Sequence, residues 1–243
     1  MDLQNTAQTD GQEIGATAQE FENFIYLVSH DVRSSVRALL ELPQWIEEDL
    51  QDVGVRIDGS LRENLDLMNV HMRRLDRMLI DLLIYSRIGR MQGSGNVLWE
   101  EAIDAALEHL RMPPGFRLTR DIAARSVPMG RNDVVTLVSS LLSNSIKHHD
   151  RQQGTVRIAT SDEGPWVRLD VSDDGPGIPA AVRARAFEVM TTLRPRDQVE
   201  GSGMGLANVR KIASHYGGQV ECIDTGERGF HLTLRFPRGV ALH

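Results

Sequence analysis

The sequence predicts an α+β protein in which a two-helix hairpin, dimerising into a four-helix bundle, is followed by an α/β sandwich domain. Apolar residues recur at helical spacing in residues 21–90, a glycine- and serine-containing segment occupies 91–96, and strand patterns alternate with amphipathic helices in 97–243. These observations predict a bundle domain, a hinge and a sandwich domain within those three ranges. Residues 1–20 lack the cationic and apolar parts of a signal peptide, and we expect a flexible leader or linker there.

The first helix of the hairpin carries one histidine opposite its apolar stripe. At about 100° per residue, the stripe collects apolar side chains on one face, which we expect to be buried. Its members are Phe21, Phe24, Ile25, Val28, Val32, Val36, Leu39, Ile46 and Leu50. On the same count His30 lies about 180° from Phe21. The spacing therefore predicts that His30 faces solvent, and taken alone it is most simply a polar residue on a wet face.

The second helix carries a heptad seam and follows a glycine turn. Gly54 and Gly59 favour a turn after the first helix, and Gly89 favours a stop after the second. Between them, apolar residues recur at alternating steps of four and three, at Leu61, Leu65, Met68, Met72, Leu75, Leu79 and Leu82. A lone hairpin cannot bury both stripes well, whereas two paired hairpins can. We therefore expect a homodimer through residues 21–90.

Composition and charge exclude several classes of protein. The chain has 27 Lys and Arg against 34 Asp and Glu, a net charge of −7, so nonspecific binding to nucleic acid is not expected. Cys222 is the single cysteine, which excludes an internal disulfide and a zinc site built from cysteines, and it fits a reducing, cytoplasmic setting. No apolar run approaches the ~18 to 20 residues of a membrane span.

Residues 97–243 combine helical and strand patterns. The segments "EEAIDAALEHL" and "RNDVVTLVSSLLSNSIKHHD" are amphipathic at helical spacing, and a further helix is expected to start near Leu206. The segments "TVRIAT", "PWVRLDVS", "QVECID" and "FHLTLRF" alternate or are rich in β-branched and aromatic residues, which is typical of strands. Hairpin-joined strands together with helices predict a mixed sheet covered by helices on one face.

Two polar segments of this domain could bind a ligand. In "DVSDDGPGIP", Asp173 follows a strand and Gly175 and Gly177 permit tight turns, so the carboxylate could accept a hydrogen bond from a ligand's amino group. An ordinary turn is the alternative. In "LLSNSIKHHD", Asn144 and Lys147 are three residues apart and share one side of a helix. An amide oxygen can ligate Mg²⁺ and a lysine can bind phosphate, although a polar helix face is the simpler explanation of this pair alone.

A third segment, "EGSGMGL", places glycines at alternate positions before a helix. Gly201, Gly203 and Gly205 let a phosphate chain approach the backbone, and the first amides of the helix carry partial positive charge. The segment is not a dinucleotide fingerprint, because the polar "TTLRPRDQVE" rather than a strand precedes it, and no Gly-Lys-Ser/Thr of a P-loop follows. A mobile lid over a nucleotide is the better physical interpretation.

Together, these segments resemble the catalytic core of the sensor histidine kinases of two-component signalling. "SHDVR" around His30 resembles the family's H-box, "LLSNSIKHH" its N-box, "DDGPGI" its G1 box, "AFEVM" its F-box and "GSGMGL" its G2 box, in the family's order. The resemblance covers residues 21–237. It implies a HisKA-type dimerisation and histidine-phosphotransfer domain followed by an ATP-binding domain of the Bergerat (GHKL) type. The implied activity is ATP-dependent autophosphorylation of His30, followed by phosphotransfer to an aspartate of a response-regulator receiver domain.

The resemblance also implies roles for individual residues. Asp31 matches the acidic position that polarises the imidazole, and Asp173 matches the aspartate that binds adenine. Asn144 matches the magnesium ligand, and Lys147 and His148 stand where the family contacts phosphates. The nucleotide-binding set is completed by two loop glycines, the base of the lid, the lid glycines and the start of the following helix: Gly175, Gly177, Phe187, Gly201, Gly203, Gly205 and Leu206. Arg194 and Arg196 of the lid could also reach a phosphate, and Leu27, Ser34 and Arg37 would contact the receiver.

The chain departs from the family's pattern at a few positions. Ser34 and Ser35 replace the usual Thr-Pro after the H-box arginine, and Ser34 occupies the position that helps to place a water for dephosphorylation of the receiver. Ser140 replaces an asparagine of the N-box, and Asp174 replaces the amide of the G1 box and adds negative charge there. We expect the nucleotide site to bind more weakly than is typical of the family. Whether the chain has phosphatase activity is an open question at this stage.

Two alternative functions remain at this point. One is a non-catalytic histidine phosphotransfer or docking protein with a degenerate ATP domain. The other is a different ATPase of the Bergerat fold, such as a chaperone or mismatch-repair protein, which would leave the exposed His30 and its acidic neighbour unexplained. The direction of autophosphorylation, within or between protomers, is also open, because it depends on the handedness of the turn near Gly54.

Overall fold

The computed structural model describes residues 3–90, 92–193, 201–224 and 228–239, with side chains at residue 20 and from residue 23 onward. The chain divides into two compact units, Met1–Arg87 and Ile88–His243. Within the described residues, no helix combines the length and apolarity that crossing a membrane requires.

The first unit is a helical hairpin. Helix α1 spans Leu3–Asp52 and helix α2 spans Gly59–Arg87, and the two are in contact. Gly54, at φ 73°, and Gly59, at φ 52°, adopt the left-handed backbone that the turn requires, as the sequence predicts. Helix α1 begins earlier than the expected Phe21, and the backbone of residues 3–20 is helical. Glutamine, glutamate and alanine, which favour helices, recur in that segment.

A single hairpin buries only part of the predicted α1 stripe. Ser29, Val36 and Pro43 are buried at seven-residue spacing, and α2 buries Leu65, Leu79, Leu83 and Ser86. Of the predicted stripe, Val36 is 2% exposed, but other members are 38% to 61% exposed, namely Phe24, Val28, Val32, Leu39 and Ile46. One neighbouring helix covers only one side of a cylinder, so the rest of the stripe has no partner within the described part of a single chain. The side chain of Phe21 lies outside the described residues.

The second unit contains two sheets and three α-helices in its described residues. Its elements are β1 Gly95–Leu98, α3 Trp99–His109, β2 Phe116–Ile122, β3 Ser126–Met129, α4 Arg131–Lys147, β4 Gly154–Glu163, β5 Trp166–Asp173, α5 Gly205–His215, β6 Gln219–Cys222 and β7 Phe230–Pro237. Short 3-10 helices span Ala180–Val182 and Arg185–Phe187. The main sheet has the order β2-β4-β5-β7-β6, and β1 pairs with β3 in a separate ribbon.

The main sheet is mixed, as predicted, because β2 and β4 are parallel and the other neighbours are antiparallel. Alternate residues of β4, β5 and β7 are buried, which follows from the two-residue period of a strand. In this register Ile158 lies opposite Val171 and Val156 lies opposite Asp173. Asp173 therefore ends the buried row, on the face that carries the core.

The opposite face of the sheet is polar and strongly paired. The side chain of Asp170 accepts hydrogen bonds from Arg168, Thr233 and His231 on the two neighbouring strands β5 and β7. Arg235 extends the network to Glu163 and Glu221. Charged and hydroxyl residues thus alternate with the core residues along the same strands, and the sheet has one apolar face for helices and one polar face.

The segment after α2 belongs to the second unit. Ile88 is buried, Gly89 donates its N–H to Asp133, and the side chain of Gln92 accepts the N–H of Asn132. Residues 95 and 96, which the sequence assigns to a hinge at 91–96, belong to β1 and pair with β3. Residue 91 lies outside the described residues.

Candidate functional site

His30 lies on the surface of α1, and its neighbour Asp31 is close enough to orient its ring. The His30 side chain is 68% exposed, and its Nδ1 lies 3.2 Å from Oδ1 of Asp31. A carboxylate is an acceptor only, so Nδ1 carries the proton in this contact and Nε2 keeps its lone pair in the neutral ring. The site therefore presents a nitrogen nucleophile to solvent, held in one tautomer by an adjacent carboxylate.

Three further side chains surround His30 within the hairpin. The ring of Tyr26, one turn earlier, stacks on His30 at a centroid separation of 6.4 Å and an interplanar angle of 28°. The guanidinium of Arg87 lies 5.4 Å from the centre of the Tyr26 ring. Ser34, one turn later, donates its hydroxyl to the carbonyl of Asp31 at 2.8 Å. The Ser34 proton is therefore already used within the helix, and only its lone pairs remain for a water or a ligand.

Asp173 is held by the backbone at the end of β5. Its Oδ1 accepts the N–H of Gly175 at 3.0 Å and the N–H of Phe230 at 3.2 Å. Among the described residues, no group donates a hydrogen bond to its second oxygen. A carboxylate fixed through one oxygen presents the other in a defined direction, which suits recognition of a donor on a ligand's edge.

The glycines that follow Asp173 are required by close contacts. A Cβ on Gly175 would lie 2.9 Å from Oδ1 of Asp173, and a Cβ on Gly177 would lie 2.4 Å from the carbonyl oxygen of Gly229. Gly177 also has φ 72°, a backbone conformation that side chains disfavour. This loop can therefore approach its neighbours, and a ligand, only as bare backbone.

The polar residues of the N-box occupy the end of α4. Asn144 is half-buried, Lys147 is exposed at the last helical position, and His148 is the C-cap residue. The backbone N–H of His148 donates a hydrogen bond to the carbonyl of Asn144 at 3.1 Å. The side-chain amide of Asn144 has no hydrogen-bond partner among the described residues. No cluster of three or more His, Cys, Asp or Glu side chains suited to a metal exists in the described part of the chain, so a cation here would rely on other oxygens.

His149 is a residue of the site that the sequence did not reveal. Its side chain is 1% exposed, its Nε2 lies 3.1 Å from Oδ1 of Asp174, and its ring meets Phe116 edge to face at 5.2 Å. The same oxygen of Asp174 accepts the N–H of Thr155 at 2.6 Å. That N–H is the main reason why the pKa of the Asp174 carboxyl lies below its usual value, and His149 adds to the effect.

His149 therefore connects the end of α4 to the loop that follows β5. The negative charge that Asp174 adds is stabilised within this connection, because its carboxylate contacts the N–H of Thr155 and the ring of His149. Arg228 completes the arrangement by donating to the backbone carbonyl of Asp174 and pairing with Asp150. The only signal in the sequence was the doubled histidine, of which the family pattern indicates the first.

The glycine-rich segment packs against two neighbours at its described end. Gly203 has φ 77°, and a Cβ there would lie 2.5 Å from the carbonyl oxygen of Thr191. Gly205 is the first residue of α5, close to the carbonyl of Ser140 on α4, whereas a Cβ on Gly201 would meet no atom within 4 Å in the described part of the chain. Leu206 is buried, and half-buried Phe187 ends a 3-10 helix that contacts α5. Arg194 and Arg196 lie outside the described residues.

Comparison with known proteins finds similarity to histidine kinases over most of the chain. Residues 129–240 match the family model of histidine kinase-, DNA gyrase B-, and HSP90-like ATPases. The chain is 30% identical over 232 residues to the methanogenesis regulatory histidine kinase FilI of Methanothrix harundinacea, covering 93% of this chain and 25% of that protein. It is 26% identical over 211 residues to the sensor histidine kinase GtrS of Pseudomonas aeruginosa, covering 87% and 41%. The chain spans between 25% and 43% of the length of the curated relatives compared.

Solved structures extend the likeness to the fold. Full-length ShkA in complex with AMPPNP superposes with a TM-score of 0.66 at 20% identity, covering 91% of this chain and 47% of that structure. The mycobacterial sensor histidine kinase MprB superposes with a TM-score of 0.52 at 25% identity, covering 60% of this chain and 99% of that one. The likeness to ShkA establishes the fold alone.

Proposed function

The chain contains the catalytic core of a histidine kinase, and on this premise we propose that it phosphorylates its own His30 with ATP and then passes the phosphoryl group to an aspartate of a response-regulator receiver domain. The observation that carries the proposal is the pair formed by exposed His30 and Asp31, whose 3.2 Å contact leaves Nε2 free. Neutral imidazole is a nucleophile, and a carboxylate on its other nitrogen increases its basicity. The cytoplasm is the proposed setting.

The chemistry assigned to His30 balances without a further reactant. Nε2 supplies the electron pair of a new N–P bond to the γ phosphorus of ATP, while the bond to the β–γ bridging oxygen breaks and its electron pair leaves with ADP. The proton on Nδ1 stays in its contact with Asp31, which stabilises the charge that develops on the ring. In the second step, a carboxylate oxygen of the receiver attacks the phosphorus and the N–P electron pair returns to Nε2.

We assign the nucleotide site to the loop after β5 and to the start of α5. The second oxygen of Asp173 would accept a hydrogen bond from the adenine amino group, while its first oxygen is held by two backbone amides. Gly201, Gly203 and Gly205 would form the lid, and the first amides of α5 would face the phosphates. Lys147 and His148, at the end of α4, would supply positive charge or hydrogen bonds to the same phosphates.

The described residues of this site offer one candidate ligand for magnesium. Asn144 is half-buried and its side-chain amide has no partner among the described residues, so its amide oxygen is a candidate ligand. Mg²⁺ commonly takes only one or two ligands from the protein and keeps waters and substrate phosphate oxygens for the rest. A single amide ligand on α4 is consistent with that coordination preference. The bound ion would neutralise charge on the phosphates.

A homodimer through residues 21–90 is the form that we propose for the hairpin. The exposed members of the α1 stripe fall within an arc of about 80° beside the face that α2 covers. Exposed apolar surface of this kind is commonly an interface. His30 lies about 160° from the centre of that arc, so pairing of two hairpins leaves it accessible.

The test is incubation of the full chain with γ-labelled ATP and Mg²⁺. We expect a label that is stable in base and labile in acid, lost in His30→Ala, and unchanged in His71→Ala, which alters an exposed histidine of the same hairpin. Asp173→Asn should reduce labelling by lowering nucleotide affinity. An acid-stable label, or one retained by His30→Ala, contradicts the proposal. No label from ATP, together with uptake from a phosphorylated receiver, would instead support the phosphotransfer and docking alternative.

A further inference from the structure

A groove of about 340 Å³ opens beside His30 within the hairpin. Its walls include the ring of His30, the side chains of Arg33, Arg37 and Arg87, and aliphatic side chains of α2 such as Leu83. Three guanidinium groups therefore line the groove beside His30, on a partly apolar floor. The nucleophilic role of His30 does not by itself explain why they gather there.

The charges in the groove do not cancel. Arg33 is paired with Asp76, with 3.1 Å between Nε and Oδ1, and Asp31 is occupied by His30. Within the described part of the chain, neither Arg37 nor Arg87 has a carboxylate within ion-pair distance. Two exposed guanidinium groups without a carboxylate partner thus line the same groove, and both are available to attract an anion.

The positions of both arginines direct them towards His30. Arg87 lies against the same tyrosine ring that stacks on His30, at 5.4 Å from its centre, so Tyr26 holds the two groups next to one another. A guanidinium on an aromatic ring keeps its N–H groups free to donate to oxygens. Arg37 follows His30 by two helical turns on nearly the same side, and helical side chains lean towards the N-terminus, which is the direction of His30.

We propose that Arg37 and Arg87 form the seat of the phosphoryl group that His30 carries on Nε2. The inference rests on the proposed function, because it supposes that His30 is phosphorylated. The attached group bears negative charge on three oxygens, and guanidinium groups match such oxygens in charge and geometry. The two arginines would therefore prolong the life of phosphohistidine and lower the pKa of its phosphoryl oxygens.

The test loads the phosphoryl group chemically, so that it does not depend on kinase activity. The full chain is treated with potassium phosphoramidate and followed by ³¹P NMR, and His30→Ala identifies the His30 signal among those of the other histidines. Arg37→Gln and Arg87→Gln should each raise the pKa of the phosphoryl group by about half a unit to one unit, and should accelerate its hydrolysis about five- to tenfold. Arg73→Gln, at an exposed position of α2 outside the groove, is the matched control and should change neither quantity.

Two further variants separate a charge effect from a structural one. Arg87→Lys keeps the charge and should retain most of the lowered pKa, whereas Tyr26→Leu removes the ring under Arg87 and should act like Arg87→Gln. Far-UV circular dichroism establishes that each variant is folded. Phosphoryl pKa values and lifetimes equal to those of the unaltered chain in both glutamine variants would overturn the seat. If phosphoramidate loads His30 with the expected arginine dependence but ATP does not, the proposed kinase function fails and the seat stands.

Discussion

The hydroxyl of Tyr216 donates a 2.7 Å hydrogen bond to Oδ2 of Asp133, and both residues are buried. The same carboxylate oxygen accepts the N–H of Gly89 at 3.0 Å, and the Tyr216 oxygen accepts the N–H of Gly130 at 3.0 Å. This cluster joins the end of α5, the start of α4 and the segment that follows α2. It favours a hinge before Ile88 rather than at residues 91–96, and we propose that position.

Tyr216→Phe tests whether this cluster stabilises the second unit. Removal of the hydroxyl leaves a buried carboxylate with one donor fewer and Gly130 without its acceptor, so we expect a loss of about 1 to 3 kcal/mol in the free energy of unfolding. Burial raises the pKa of Tyr216 above its usual value, and the bond to Asp133 raises it further, so the phenol remains a donor beyond neutral pH. Urea unfolding measures the change, with Tyr26→Phe in the hairpin as control. Equal loss in both variants would contradict a specific role of the cluster.

His149→Leu tests the connection between α4 and the loop after β5. A leucine fills the buried space but removes the contact with Asp174, so we expect a loss of about 1 to 2 kcal/mol in stability and a rise in the pKa of Asp174. Nucleotide affinity should fall as well, because the loop carries Asp173. Calorimetric titration with AMPPNP and thermal unfolding measure both effects. His148→Leu is the matched control and should alter affinity without the same loss of stability, whereas the reverse ranking would show that His148 supports the loop.

The resemblance to histidine kinases and the fold class are confirmed, for reasons that lie in particular segments. Strands β4, β5 and β7 alternate apolar and polar residues, and such patterns depend only on local spacing. Strand β2 was missed because it is a largely exposed edge strand whose polar residues mask its period. The four-residue strands β1 and β3 are too short to show any period.

Some residues of the candidate site were predictable from local sequence rules, and others were not. The exposure of His30 follows from helical geometry around Phe21, and Asp173 follows from the end of a strand, so both positions were predictable from local rules. His149 acquires its place only when the chain brings Asp174, 25 residues away, against it. The cluster of Tyr216 and Asp133 joins residues 83 apart, and no local pattern signals it. The α1 stripe is likewise only partly buried in a single chain, and a stripe in the sequence does not say which neighbour covers the rest of it.

Charged substitutions in the exposed stripe of α1 test the homodimer. Val28→Lys and Ile46→Lys would place an ammonium in the proposed interface, and each should weaken dimerisation at least about tenfold because a buried charge without a partner is costly. Leu27→Lys and Trp45→Lys are matched controls, since these neighbours are also exposed but lie about 100° from the centre of the exposed stripe. Sedimentation equilibrium of the full chain measures the dissociation constant. Stronger effects in the controls would place the interface on the other side of the helix.

The polar face of the main sheet predicts a dependence of stability on pH. Burial alone would raise the pKa of Asp170, but hydrogen bonds from Arg168, Thr233 and His231 together hold it below its usual value. A carboxyl whose pKa is lower in the folded chain than in the unfolded chain stabilises the fold above its unfolded pKa, and that stabilisation is lost as the pH falls through the folded pKa. The free energy of unfolding should therefore decrease as the pH is lowered from about 5 towards 2.

Asp170→Asn isolates this contribution. The amide keeps an acceptor for Thr233 but no longer titrates. The free energy of unfolding of the variant should therefore fall less steeply over the same pH range than that of the unaltered chain. Asp121→Asn, which removes an exposed carboxylate paired with Arg157 at 2.8 Å, is the control and should leave the slope nearly unchanged because exposed ion pairs contribute little. Urea unfolding at a series of pH values gives both slopes. Parallel curves for the unaltered chain and Asp170→Asn would mean that Asp170 has the same pKa in both states, and that the network on this face does not govern acid stability.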